Sequence, residues 1–245
     1  MNPAAPRLVF HVLSSLAVLQ WGPTALRAGS FNVNPVRIEL SVRQPHSMVQ
    51  VTNVNSEPVM IQVQVVTWQP GASEDVYHDS DDVLVNPPIF TLESRQTQTM
   101  RLGLRRPRGG EIELCYRLIL HEVPSLRTAG TGVKTLLRVS LPIFARPSSP
   151  VVPLLTWEVQ RISERKVRLS VLNKGTAHIQ IRQLWLTSSG REEPDIAQEV
   201  VSYVLPNGRR EWIFESEHIG HADLITLRVQ TDLGILHERL AIQSP

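Results

Sequence analysis

Short runs in which apolar and polar residues alternate with a period of two dominate this chain and confine it to sheet. They include VRIELSV from Val36, MVQVTNV from Met48, VMIQVQVV from Val59, TLLRVSLPIF from Thr135, KVRLSVLN from Lys166 and HIQIRQLWL from His178. A period of two sends successive side chains to opposite faces, so one set lines a core and the other meets solvent, as in antiparallel sheets covered on one face. Breakers separate the runs: Asn53 to Pro58, Pro70 and Gly71, Pro87 and Pro88, Pro107 to Gly110, Asn173 to Gly175, and Pro206 to Gly208. That spacing predicts an all-β fold of sandwich type. No segment carries a capped apolar stripe of helical period, so little helix is expected. The stretch ARPSSPVVP, residues 145–153, reads as a stiff linker and divides the chain into two parts of sandwich size, 29–147 and 148–245.

Residues 1–28 carry Arg7, the apolar run LVFHVLSSLAVL and a small-residue exit at Ala28, the order of a secretory signal cleaved near that alanine. The competing reading is a membrane anchor, but about a dozen apolar residues interrupted by His11 fall short of the roughly 20 needed to span a bilayer. The single Cys115 cannot form an internal disulfide and is expected in the core, leaving stability to strand packing. A net charge of +2 with scattered arginines, and only 5% aromatic residues, argue against a nucleic-acid surface.

Enzyme chemistry has little support. HDSDD, His78 to Asp82, lacks the glycine and distal glutamate of a calcium loop and reads as a solvated hairpin tip. His218, His221 and Asp223 in EHIGHAD do not have the spacing of the helical zinc motifs. Cys115 beside Tyr116 lacks a nucleophile context, and no Gly-x-Ser-x-Gly elbow or phosphate-binding glycine loop occurs. No catalytic residue, metal or cofactor is therefore expected. More unusual are arginines set among alternating apolar residues: Arg37, Arg101 and Arg117. Each could lie over its neighbours with its head in water. Alternatively the three converge, since a forked guanidinium matches a carboxylate through two parallel charge-assisted bonds.

Five segments, NPVRIELS, VTNVNSEPVMIQVQV, NPPIFTLESRQTQTMRLGL, ELCYRLILHEVP and LLRVSLPIFARP, resemble in order and spacing the periplasmic chaperones of chaperone/usher pilus assembly. The resemblance covers nearly all of residues 31–147; beyond them it rests on VRLSVLNKGTAHIQI and VQTDLGILH. It implies two immunoglobulin-like sandwiches in an L-shaped, boomerang arrangement, no catalysis, a periplasmic location, and pilin subunits and an outer-membrane usher as partners. Each pilin lacks its last strand, and the chaperone lends one by strand addition. The lending strand resembles GVKTLLRVSLPIF, residues 132–144, whose apolar set is Val133, Leu137, Val139, Leu141 and Ile143. An ordinary strand completing its own domain is the other reading, and both can hold for an edge strand.

The resemblance further implies a basic cleft for the pilin's terminal carboxylate. Arg37 occupies the position of the family's first-strand arginine, but the position of its lysine falls on Pro142. The MRLGL and YRL segments look more like the archaic branch, which makes Arg101 and Arg117 the candidate anchors and Arg37 the next. Glu113, Arg146 and Asp232 match the family's charged network between domains. Self-pairing of the exposed strand in the absence of pilin is also expected. The competing function is a secreted adhesion or surface-binding module built from the same sandwiches and binding through loops.

Overall fold

The computed structural model describes residues 31–71, 74–105, 110–124 and 135–244; the signal segment expected at 1–28 and Val133 lie outside them. The first sandwich contains β1 (Phe31–Asn34), β2 (Ile38–Ser41), β3 (His46–Asn53), β4 (Val59–Gln69), β5 (Val76–Asp79), β6 (Val83–Asn86), β7 (Ile89–Leu92), β8 (Thr97–Leu104), β9 (Leu114–Val123) and β10 (Arg138–Arg146). One sheet has the order β1-β3-β8-β6 and the other β2-β10-β9-β4-β5, with β7 also paired to β4. The inward phase of each strand fills the space between them: Val49 and Val51 of β3, Ile61, Val63 and Val65 of β4, Met100 and Leu102 of β8, and Leu118 and Leu120 of β9 are all buried.

Proline marks two places where the chain changes sheet. Between β1 and β2 it does so at Asn34–Pro35, and between β6 and β7 at Asn86–Pro87; both peptide bonds are cis. Proline cannot donate to a ladder, so it stands where pairing with one sheet has ended and the next has not begun.

The second sandwich contains β11 (Leu155–Ser163), β12 (Lys166–Asn173), β13 (Ile179–Ser188), β14 (Ile196–Val204), β15 (Arg209–Glu215), β16 (Leu224–Thr231) and β17 (Gly234–Gln243), in the order β14-β13-β16-β17-β11-β12-β15. Strands β11 and β17 meet only at Val159–Ile242 and Gln160–Gln243. The two halves therefore close over one core that includes Val159, Leu169, Ile181, Leu186 and Leu227. A 3-10 turn at Ile219–His221 is the one helical element among the described residues.

A buried asparagine solves the same problem in both sandwiches. Asn53, at the end of β3, donates to the carbonyls of Glu57, Leu92 and Glu93 while accepting from the Asn55 N–H. Asn173, at the end of β12, donates to Ala177 and Val204 and accepts from Leu154 and Gly175. Turn backbone that would be buried unpaired is thereby satisfied. The proline-rich linker is not free-standing: Lys174 donates to the Leu154 carbonyl and Thr176 to that of Val152. Gly175 lies under this crossing, where a Cβ would come within 2.3 Å of the Val152 oxygen.

Candidate functional site

Strand β10 has two unlike halves. Ile143 to Arg146 pair in parallel with β2, the first three of them also antiparallel with β9, whereas Arg138 to Pro142 pair with β9 alone and expose their other edge among the described residues. Pairing with β2 begins at the residue after Pro142, which lacks an N–H. The expected lending set divides in the same way. Leu141 and Ile143 are buried in the domain's own core, and Leu137 and Val139 are partly buried against it. These apolar side chains thus serve the domain itself, while the main-chain edge at 138–142 is open to a further strand.

The opposite face of β10 leads to the second domain. Phe144 is fully buried and clusters with Trp68 of β4, Cys115 of β9 and Leu205, with Tyr203 of β14 packed against them. The His178 ring stacks on Phe144, with centroids 3.4 Å apart and planes 4° from parallel. Burial pushes the Cys115 thiol up, and the nearby Glu113 carboxylate adds to it, so this cysteine stays protonated and inert.

A chain of charges runs along one side of this aromatic cluster. Arg146 lies 3.4 Å from Glu39, Glu39 lies 3.0 Å from Arg37, and Arg37 donates to Asp232 at 2.6 Å. Asp232 therefore joins through Arg37 and Glu39, not by pairing with Arg146. Glu113 sits 3.6 Å from Arg146, accepts from the backbone N–H of His178 and contacts its Nδ1. Burial alone would raise the Asp232 carboxyl. The hydrogen bonds from Arg37 and from the Gln180 N–H, together with the Arg37 charge, outweigh it and hold the group below its ordinary value. Both ends of the Arg37 guanidinium are thus occupied by protein carboxylates.

Arg117 faces the other side of the cluster and is differently placed. It stands opposite Pro142 on β10 and Val66 on β4. Its guanidinium lies 3.6 Å from the Trp68 ring centroid and 5.9 Å from that of Tyr203. It has no carboxylate partner within ion-pair distance among the described residues, and its Nε is buried without a hydrogen bond. Burial lowers the group from its ordinary value, though an arginine stays charged under all these conditions. The cation opens on an interdomain cleft of about 430 Å³ lined by Trp68, Asp75, Tyr77, Tyr203 and Arg210. Arg210 of β15 grips Asp75 through both carboxylate oxygens at 2.6 and 2.7 Å, and Trp68 donates to the same carboxylate at 2.7 Å. This is a second tie between the domains.

The three arginines do not all converge. Arg101 lies between Met100 and Leu102, both buried in the core, so its exposed side chain points away from that core on the sheet formed by β1, β3, β8 and β6. The whole sandwich separates it from Arg37 and Arg117. Among the described residues no three His, Cys, Asp or Glu side chains are placed to hold a metal, the HDSDD and EHIGHAD stretches included. Glu39, Trp68, Asp75, Phe144, His178, Tyr203 and Arg210 were not singled out from sequence. One signal for Phe144 was present: in LPIFA, residues 141–145, alternation gives way to a continuous apolar run, as expected of a strand buried on both faces.

Among the described residues an open strand edge thus lies next to a cation without a carboxylate partner. Residues 30–150, which hold the first sandwich, match the model of the pili and flagellar-assembly chaperone, PapD N-terminal domain, and this domain belongs to that pilus-chaperone family. Its fold matches a chain of the CsuC–CsuE chaperone–tip adhesion subunit pre-assembly complex from archaic chaperone–usher Csu pili of Acinetobacter baumannii. The identity is 19%, with 89% of this chain and 100% of that chain covered and a TM-score of 0.64. The YadV chaperone is similar at 17% identity, covering 86% and 100%, with a TM-score of 0.62. The Salmonella enterica SafA pilin–SafB chaperone complex provides a third match, at 19% identity, covering 85% and 95%, with a TM-score of 0.59. Comparison with curated protein sequences returned no match.

Proposed function

We propose that this protein is a non-catalytic periplasmic chaperone of an archaic-like chaperone/usher system. It caps a pilin subunit by lending β10 and passes it to an outer-membrane usher. The observation that carries this reading is the adjacency, among the described residues, of two unmet needs: the unpaired edge at Arg138–Pro142 and the Arg117 guanidinium without a carboxylate partner, which is the cross-strand neighbour of Pro142. A subunit strand hydrogen-bonded along that edge has its end within reach of Arg117. Its terminal carboxylate would meet a cation already stripped of part of its water. Pro142 holds the place of the family's lysine, so Arg117 supplies from the adjacent strand the charge that β10 lacks. Arg37, already bound to Asp232 and Glu39, contributes to the joint and to the local positive field, and Arg101 takes no part in this cleft. Leu137 and Val139, half-buried at the sandwich margin, would be shared with the subunit core.

Co-expression of the mature chain with a candidate pilin subunit tests the proposal. A one-to-one complex is expected, with slowed amide exchange in residues 138–142. Pilin that is equally soluble without this protein, or unchanged exchange in that segment, would refute it.

A further inference from the structure

We infer that His178 is a positioning residue that sets the angle between the two domains and thereby how Arg117 presents itself to a subunit's terminal carboxylate. The last clause rests on the carboxylate reading given above; the first stands without it. His178 immediately precedes β13 in the second domain and is 4% exposed. Glu113 of the first domain grips its loop in two directions. The Glu113 N–H donates to the Thr176 carbonyl at 2.9 Å. Its Oε1 accepts from the His178 N–H at 3.2 Å and also contacts His178 Nδ1. A carboxylate only accepts, so the tautomer that bonds to it is the one with the hydrogen on Nδ1. On its far side the same loop is held by the linker, through Lys174 to Leu154 and Thr176 to Val152, with no space at Gly175 for a side chain. The loop is consequently a fixed pivot, clamped between the linker and one residue of the other domain.

Two features connect that pivot to the binding elements. The imidazole lies flat on Phe144, which is part of the lending strand. It also stands 5.8 Å from the ring of Tyr203, which itself lies 5.9 Å from the Arg117 cation. Tyr203 moves with the second domain and Arg117 with the first, so a rotation about the loop changes the wall opposite Arg117 while leaving the edge of β10 intact. His178 Nε2 is buried and has no hydrogen-bond partner. Of its two polar atoms, only Nδ1 makes a bond, and substitutions can separate that bond from the ring stacking.

The test uses the full mature chain and its His178→Phe, His178→Asn and Glu113→Gln variants. His178→Phe retains the stacking and loses the donor, whereas asparagine restores an N–H close to the Nδ1 position. Domain orientation is measured by small-angle scattering and residual dipolar couplings. Binding is measured with a synthetic peptide of a pilin C-terminal strand, as free acid and as amide. The wild type should prefer the free acid by roughly tenfold or more. His178→Phe should show an altered orientation and an acid-to-amide ratio reduced toward one, with amide affinity unchanged. His178→Asn should recover both in part, and Glu113→Gln should fall between. Wild-type orientation in all three variants overturns the inference, and if His178→Phe does not fold, the other two still decide it. A wild type that does not distinguish acid from amide instead removes the carboxylate reading of Arg117, and the orientation data continue to test the role of His178.

Discussion

Arg37 and Arg117 flank the same buried aromatic cluster, yet their surroundings make them different instruments. Arg37 lies 5.2 Å from the Phe144 ring centroid, and its two terminal nitrogens reach Asp232 and Glu39. Arg117 lies against Trp68 and has no carboxylate within ion-pair distance among the described residues. A guanidinium with one end paired across an interface and the other held within its own domain restrains the domains and has little left for a ligand. One that is desolvated and unpaired stores an unmet interaction that an incoming anion can satisfy. Cation–π contact with Trp68 offsets part of its lost hydration without consuming its in-plane donors. A charged residue's role is thus set by whether the fold brings it a counter-ion.

The contrast can be broken most severely at Phe144, which supports both sides. Phe144→Ala should cost about 3–5 kcal/mol through cavity formation and loss of the His178 stacking, seen as a lower urea midpoint. Arg117→Ala should weaken subunit binding by about 1.5–3 kcal/mol in titration calorimetry, as expected for a lost charged hydrogen bond. Its melting temperature should hold or rise, because an unpaired cation is no longer kept from water.

Arg37→Ala should show the reverse pattern: a stability loss of about 1–3 kcal/mol at neutral pH with a smaller change in affinity. The pH dependence follows from Asp232, whose carboxyl is held below its ordinary value in the folded state. Such a group adds stability that is complete above the unfolded value of about 3.9 and is lost as pH falls through the folded value. Removing Arg37 should therefore flatten the stability profile below about pH 4, as followed by urea midpoints from pH 7 to pH 2. The smallest effect is expected at Arg101. Arg101→Ala should leave both stability and affinity within about 0.5 kcal/mol of wild type, and a larger loss of affinity would return Arg101 to the anchor site.

Much of the sheet structure was legible from alternation. In VMIQVQVV the residues Val59, Ile61, Val63 and Val65 fall on one phase, and the structure buries all four. The same rule correctly turned Arg101 and Arg117 away from the core of their own sandwich. It could not distinguish them, because an outward side chain meets solvent on one sheet and a second domain on the other. Phe144 illustrates the same limit. The odd-numbered residues of β10 were read as the lending face, yet Leu141 and Ile143 fill the domain's own core, and Phe144, in the opposite phase, was left without a role. Glu113 and Arg146 were identified as bridging residues, while their partners His178 and Glu39 were not, since neither occupies a position that periodicity singles out.

The amino-acid sequence alone determined that this chain forms strands, where they break, which side of each strand faces a core, and that two sandwiches follow one another. Those properties depend on the two-residue repeat and on the backbone limits of proline and glycine, which act over a few residues. Only the tertiary structure decided which outer face of the first sandwich the second would cover, and so which arginine acquired an interdomain carboxylate. Counter-ions more than a hundred residues away in sequence come within hydrogen-bonding distance only after both sandwiches have formed and docked, as with Arg37 and Asp232.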